Sequence, residues 1–327
     1  MVGRQVLAGM LSYIPGVRGM MQRGTGGTDD ARYCYSVWMR HLVLAHRNGL
    51  RPAPPRVLVE LGPGDSLGVG IAALLSGTES YCALDAVRYA TPEDDLRILG
   101  ELVELLQRRE AIPGDAEFPR TRPRLGSYAF PTEILTEKAL EAALDPARID
   151  AVTRAVAERD AVPEAGVSVS YKAPWCRSSA PENESVDMVL SQSVLQNVTD
   201  LRSAADDMLS WLVAGGLASH EVDLSAIGRA PEWNGHWAYP SLLWKLMRGN
   251  RHWFLNRQPH SAYLVAFAGA GFEVVHDETV RRESAINRER LAPEFRELSD
   301  EDLTTSSMFL QGVRRNERPS HDAQTSE

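Results

Sequence analysis

Glu60, Gly62, Pro63, Gly64, Asp65 and Ser66 stand together in the run VLVELGPGDS, where a strand-forming segment gives way to an apolar helical pattern. Glycine-rich turns at such junctions let a ligand approach the backbone closely. Gly62, Gly64 and Gly68 follow G-x-G-x-x-x-G, not the strict G-x-G-x-x-G of dinucleotide folds. Pyrophosphate is held by a helix N-terminus undiluted by carboxylates. Here Glu60 precedes the turn and Asp65 opens the helix, and both repel a phosphate. Such a turn suits a phosphate-free nucleoside carrying an ammonium or sulfonium cation, which describes S-adenosylmethionine. Asp85, at the end of YCALD, is placed to accept both ribose hydroxyls. That feature is shared with NAD-binding folds and does not choose between the two cofactors.

A hydroxyl acceptor also needs a group to take its proton, and imidazole does so near neutral pH. His220 in SHEVD is the expected base, with Asp223 or Glu221 orienting it or touching substrate. The competing reading makes His220 a satisfied structural histidine. Trp233, His236 and Trp237 lie among Asn, Gly and Pro, the composition of a binding loop whose aromatic faces stack on sugar rings. Trp244 in LLWKLM has helical spacing and reads as packing. Lys245, Arg248, Arg251 and Arg257 share this segment. They fit an anionic acceptor, with Arg257 as a substrate contact, or a solvated helix face. No hydrolase elbow surrounds SQS. Cys34, Cys82 and Cys176 lie far apart, so neither a metal site nor a disulfide framework is expected.

These residues need a frame. Strand signals fall at 57–61, 81–84, 167–171, 186–190, 217–222, 272–275 and 308–313, with helical patterns at 66–76, 201–213 and 261–268. Thr199 is the expected N-cap of the second of these helices, and Gly215-Gly216 its end. The alternation predicts an α/β fold: a Rossmann-like, seven-stranded, mostly parallel sheet with helices on both faces. Residues 1–54 read as a helical cap with a glycine-rich break from Gly24 to Thr28. Residues 55–315 read as the main domain, with a helical insertion at 88–165 and an aromatic-rich lid at 226–260. The polar tail 316–327 reads as disordered. The acidic pairs Asp94-Asp95 and Asp206-Asp207 read as solvated helix faces. Tyr33, Tyr35 and Trp38 either close over the cofactor or pack within the cap.

The formal net charge of −9 argues against nucleic-acid binding. Sparse cysteines suggest a reducing, cytoplasmic compartment. No apolar run has the length of a membrane span. The stretch QVLAGMLSYIPGV reads as an amphipathic helix that packs on the body through Leu7, Met10, Leu11 and Ile14. A second reading lays that helix on a membrane surface.

In combination, VELGPGDS, ALD, SVDMVLSQSVLQNV and WLVAGGLASHEVDL resemble the successive motifs of class I S-adenosylmethionine-dependent methyltransferases, over roughly residues 55–225 and again at AGFEVV. The longer sequence also resembles bacterial methyltransferases associated with polysaccharide biosynthesis. The resemblance implies a last strand that runs antiparallel, in a hairpin with strand six. It places Gly62 and Gly64 at the methionine portion, Glu60 at its ammonium, Asp85 at the ribose, Lys172 and Ala173 at the adenine, and Ser191 and Gln192 beside the methyl group and substrate. Gln196-Asn197 departs from the Glu-His of many relatives. The reading is O-methylation of a saccharide or other small polar acceptor. Its alternatives are an NAD(P)-dependent oxidoreductase and a non-catalytic protein that binds S-adenosylmethionine or a partner.

Overall fold

Seven segments form the strands β1 (Val57–Leu61), β2 (Ser80–Leu84), β3 (Ser168–Lys172), β4 (Val186–Gln192), β5 (Leu212–Asp223), β6 (Phe272–Arg281) and β7 (Thr305–Arg314). The structure is a computed structural model that describes residues 2–14, 27–161, 166–176 and 179–315. The strands make one sheet in the order β3-β2-β1-β4-β5-β7-β6. β1 to β5 are parallel, and β7 runs antiparallel between β5 and β6. This is the seven-stranded, mostly parallel sheet expected, including the antiparallel last strand.

Among the described residues the α-helices are α1 (Val2–Leu11), α2 (Ala31–Arg47), α3 (Gly68–Leu75), α4 (Pro92–Gln107), α5 (Glu137–Ala143), α6 (Pro146–Ala157), α7 (Leu201–Trp211), α8 (Ser241–Arg248), α9 (His260–Ala270) and α10 (Asp300–Thr304). Central strands such as β4 are near-continuous apolar runs because both faces are covered. The cluster on one face joins α2, α3, α4 and α6 to Leu58, Tyr81, Tyr171 and Leu190. The cluster on the other joins α7 and α9 to Val59, Val189 and Ala218. Tyr35 and Trp38 belong to the first core: Tyr35 donates to Glu110 O and the Trp38 indole to Ser76 Oγ.

Several local expectations are corrected. Asp200, not Thr199, caps α7, accepting from Ser203 N at 3.0 Å. Gly215 and Gly216 lie inside β5, which begins at Leu212. Asp95 is buried, not solvated: it accepts from Leu67 N at 2.7 Å and pairs with Arg159. The α1 helix does dock on the body, against α8, through Gly9. A Cβ at Gly9 would stand 2.1 Å from Leu246 O. The residues expected to make that contact, Leu7, Met10, Leu11 and Ile14, are exposed instead. Among the described residues no helix is long and apolar enough to cross a membrane. The tail 316–327 and most of the break at Gly24–Thr28 lie outside the described residues.

Candidate functional site

The carboxyl ends of β1, β2, β4 and β5 open into a cleft of about 1090 Å³. It sits where the chain reverses direction through the sheet, between β1 and β4, which is where open α/β sheets bind ligands. Its volume exceeds what one nucleoside-sized ligand fills, leaving room for a second molecule.

Gly62, Pro63 and Gly64 line this cleft. Gly62 has φ +64° and Gly64 φ +81°, the left-handed region that favours glycine. A Cβ on Gly62 would also strike the Val194 side chain at 2.6 Å. Most amides of the turn are already engaged. Gly62 N donates to Leu84 O at 2.8 Å, Asp65 N to Thr28 Oγ1 at 2.8 Å, Leu67 N to Asp95 Oδ1 at 2.7 Å and Gly68 N to Ser66 Oγ at 3.0 Å. The Gly64 amide serves the Asp85 carboxylate. A pyrophosphate would need these donors, and they are satisfied by the protein itself. Two expected contacts are corrected here. Ser66 turns inward, its hydroxyl donating to Thr28 O, and Asp65 lies behind the cleft wall, from where its charge acts on Asp85.

Glu60 lies at the cleft floor, accepting from Tyr81 Oη at 2.5 Å. Burial pushes its carboxyl up to about 8, against the pull of the Tyr81 hydroxyl. Asp85 follows β2, its Oδ1 held by Ala86 N at 2.6 Å and Val87 N at 3.3 Å. Burial raises this carboxyl too. Lys172 and Ala173 do not reach the cleft: Lys172 turns to Asp160. Trp175 does, edge-on to Trp211 with ring centres 6.1 Å apart, and Met208 shares that wall. This aromatic recess, between the segment after β3 and α7, suits a purine.

The base expected on β5 is corrected. His220 points away from the cleft, its Nδ1 2.8 Å from Ser191 Oγ and its ring edge-on to Phe267 at 5.7 Å. Burial holds its pKa down to about 3, so it stays neutral. Ser191 is buried with it, not beside a substrate. Side chains alternate along a strand, so the neighbours Glu221 and Asp223 face the cleft instead. Glu221 accepts from Ser193 Oγ at 2.5 Å. Burial pushes it up to about 7, helped by the Asp223 charge and opposed by the Ser193 hydroxyl. Ser193 adopts φ +56°, an uncommon left-handed conformation for serine that brings its hydroxyl to Glu221.

Gln192 reaches the cleft at the end of a buried chain of hydrogen bonds. Asn48 Nδ2 donates to Gln311 Oε1 at 2.7 Å, and Gln311 Nε2 to Ser219 Oγ at 2.9 Å. The Ser219 hydroxyl therefore gives its proton to His41 Nδ1, 2.8 Å away. His41, held neutral by burial, donates from Nε2 to Gln192 Oε1 at 3.1 Å. The order of donors and acceptors leaves the Gln192 NH₂ as a donor facing the cleft.

The expected substrate loop is built differently. Trp237 is fully buried in a separate core with Ile286, Leu291 and Leu303. Its indole donates to Arg257 O at 2.9 Å. Arg257 donates to His236 O and Tyr239 O and lies between the Trp244 and Phe295 rings. His236 is buried and neutral, pushed down to about 3. Trp233 donates to Glu283 O and lies outside the cleft. These four residues hold the lid together and make no part of the cleft wall. Of the lid's tryptophans it is Trp253 that lines the cleft.

Other lining residues were hidden in the sequence. Phe118 to Arg122, in the stretch after α4, close one side of the cleft. They are held there by the buried Arg40, which donates to Thr121 O and Pro123 O at 3.0 Å and to Pro113 O at 3.1 Å. Tyr33 stands edge-on to Phe118 at 5.4 Å. Asp207, expected to be solvated, borders the cleft on α7. Among the described residues no group of three or more His, Cys, Asp or Glu is placed to hold a metal ion.

No protein-family profile matches the chain, and no curated protein sequence does. Solved structures resemble it. One is an S-adenosylmethionine-dependent methyltransferase from Mesorhizobium loti, 16% identical, covering 80% of this chain and 91% of its own, with a TM-score of 0.36. Another, a methyltransferase of the same dependence from Methanosarcina mazei, is 10% identical over 79% of this chain and 92% of its own, TM-score 0.41. A third is phosphoethanolamine N-methyltransferase 2 of Haemonchus contortus in complex with S-adenosyl-L-methionine, 14% identical over 93% of this chain and 61% of its own, TM-score 0.41.

Proposed function

We propose that the chain is an S-adenosylmethionine-dependent methyltransferase acting on a hydroxyl of a saccharide or other small polar acceptor. The observation that carries this reading is the glycine turn: most of its amides are taken by protein groups, and beside it stand the carboxyls of Glu60 and Asp85. That environment leaves a pyrophosphate few free donors, and its carboxyls suit a cationic, phosphate-free nucleoside, Glu60 ionising as the cation binds. It disfavours the NAD(P) alternative for the same reason. Bound S-adenosylmethionine supplies a methyl group activated on a sulfonium.

The chain's own residues do the rest. Asp85 offers its carboxylate to the ribose, and Trp175 with Met208 packs the adenine. Gln192 donates into the cleft from a fixed orientation. Glu221 takes the proton from the acceptor hydroxyl as its oxygen attacks, and a carboxyl poised near 7 suits that task at neutral pH. Phe118, Tyr33 and Trp253 keep water from the reacting atoms.

The test pairs calorimetry with product capture. S-adenosylmethionine should bind and NAD(H) should not, and labelled cofactor should pass its methyl to an acceptor from a panel of glycans and small hydroxylated compounds, found by mass spectrometry. Binding of NAD(H) without S-adenosylmethionine would overturn the reading.

Glu60 adds a pH signature. Its carboxyl, protonated at neutral pH before binding, must ionise to neutralise an ammonium. Ligand binding then releases a proton, and affinity rises with pH, by at most about tenfold per unit, until pH approaches the Glu60 value near 8. Titrations from pH 6 to about 7, where an α-amino group stays mostly charged, should show this rise in the wild type and a flat profile in Glu60→Gln.

A further inference from the structure

Among the described residues, two arginines beside the cleft have no acid to answer them. Arg229, in the segment after β5, lines the cleft, and its guanidinium sits 5.2 Å from the centre of the Phe254 ring. Arg251, after α8, stands over the same ring at 5.1 Å. Arg251 is only 8% exposed, and its Nη1 is buried with no hydrogen-bond partner among the described residues. The two cations are close enough that the charge of Arg229 pushes the Arg251 guanidinium down, beyond what burial alone does. Burial lowers Arg229 as well, and among the described residues no carboxylate pairs with either.

Buried charges are normally paired, because desolvation of an ion without a partner is costly. Other arginines with buried side chains here are answered: Arg159 meets Asp95, Arg40 meets three carbonyls and Asp115, and Arg257, which has no ion pair among the described residues, donates to the His236 and Tyr239 carbonyls and to Ser241. A pair of like charges kept together on an aromatic platform, one of them at a cleft wall, is the arrangement that a bound anion would complete. Guanidinium forks match the oxygens of carboxylate and phosphate groups.

We propose that Arg229 and Arg251 seat an anionic group, a carboxylate or a phosphate, of the methyl acceptor. The inference rests on reading this cleft as the methyl-transfer site and narrows the acceptor to an acidic small molecule. Arg229 comes from the segment that directly follows Glu221 and Asp223 on β5, which places the anion on the acceptor's side.

Inorganic phosphate is the probe. With S-adenosylmethionine saturating and ionic strength held constant with chloride, phosphate should raise the melting temperature of the full chain in a saturable way. Arg229→Gln and Arg251→Gln should each weaken that response by at least about tenfold while binding S-adenosylmethionine as the wild type does. Arg229 is only half-buried, so its variant carries the test if Arg251→Gln fails to fold. A phosphate response absent from the wild type, or equal in all three proteins, would overturn the proposal. So would a parallel loss of S-adenosylmethionine affinity, which would assign the arginines to the cofactor's own carboxylate. Failure of S-adenosylmethionine to bind the wild type would instead refute the cofactor reading; the phosphate titration, repeated without cofactor, would still decide whether the anion seat exists.

Discussion

Replacing Glu221 with glutamine should slow turnover by about 10²–10⁴-fold and leave S-adenosylmethionine affinity near that of the wild type. The substitution keeps the side chain's shape and its ability to accept from Ser193, so the loss isolates the carboxylate's proton affinity. The pH profile supplies a second readout. Glu221 titrates near 7, so wild-type kcat/KM should climb with pH through that value and level off above it. The residual activity of the variant should lack that step. His220 is the built-in control. Its ring faces Phe267 and Ser191, not the cleft, so His220→Gln should cost stability and little turnover. A His220 variant that folds but is catalytically dead, beside a Glu221 variant of normal rate, would return the base to the histidine.

That contrast also shows where sequence reading stops. The strand carrying both residues was legible from its apolar run, and its place in the sheet from the alternation of strands with helices. The phase of the strand was not. A strand with one wet face announces its phase by alternating polarity. Residues 216–222 of β5 are buried on both faces, so nothing in SHEVD says whether His220 or Glu221 looks into the cleft. The lid failed for a related reason. Trp233, His236, Trp237 and Arg257 have binding-loop composition, yet their partners are Glu283, Ile286, Leu291 and Phe295, supplied by a distant segment. Arg40 and Asp95 were likewise invisible, since each acts on chain far from it in sequence. The glycine turn was readable because its constraint is local: two left-handed residues in three, held between a strand and a helix.

Asp85→Ala should weaken S-adenosylmethionine binding by about 1.5–3 kcal/mol, the usual worth of hydrogen bonds to a charged group, or roughly ten- to over a hundredfold. The carboxylate is positioned in advance. The backbone around it is tied on both sides, Asp85 N donating to Lys172 O and Trp175 N to Asp85 O, each at 3.0 Å. The amides of Ala86 and Val87 then orient one carboxyl oxygen. Little freedom is left to lose on binding, so removal of the group should appear almost entirely as lost affinity. Asp85→Asn, which keeps one acceptor oxygen for two ribose hydroxyls, should fall between the wild type and Asp85→Ala. Burial raises the Asp85 carboxyl above its ordinary range, which means that the fold tolerates this charge without being held together by it. Calorimetry that found equal affinities would remove the ribose contact, and with it the strongest reason to place a nucleoside at the end of β2.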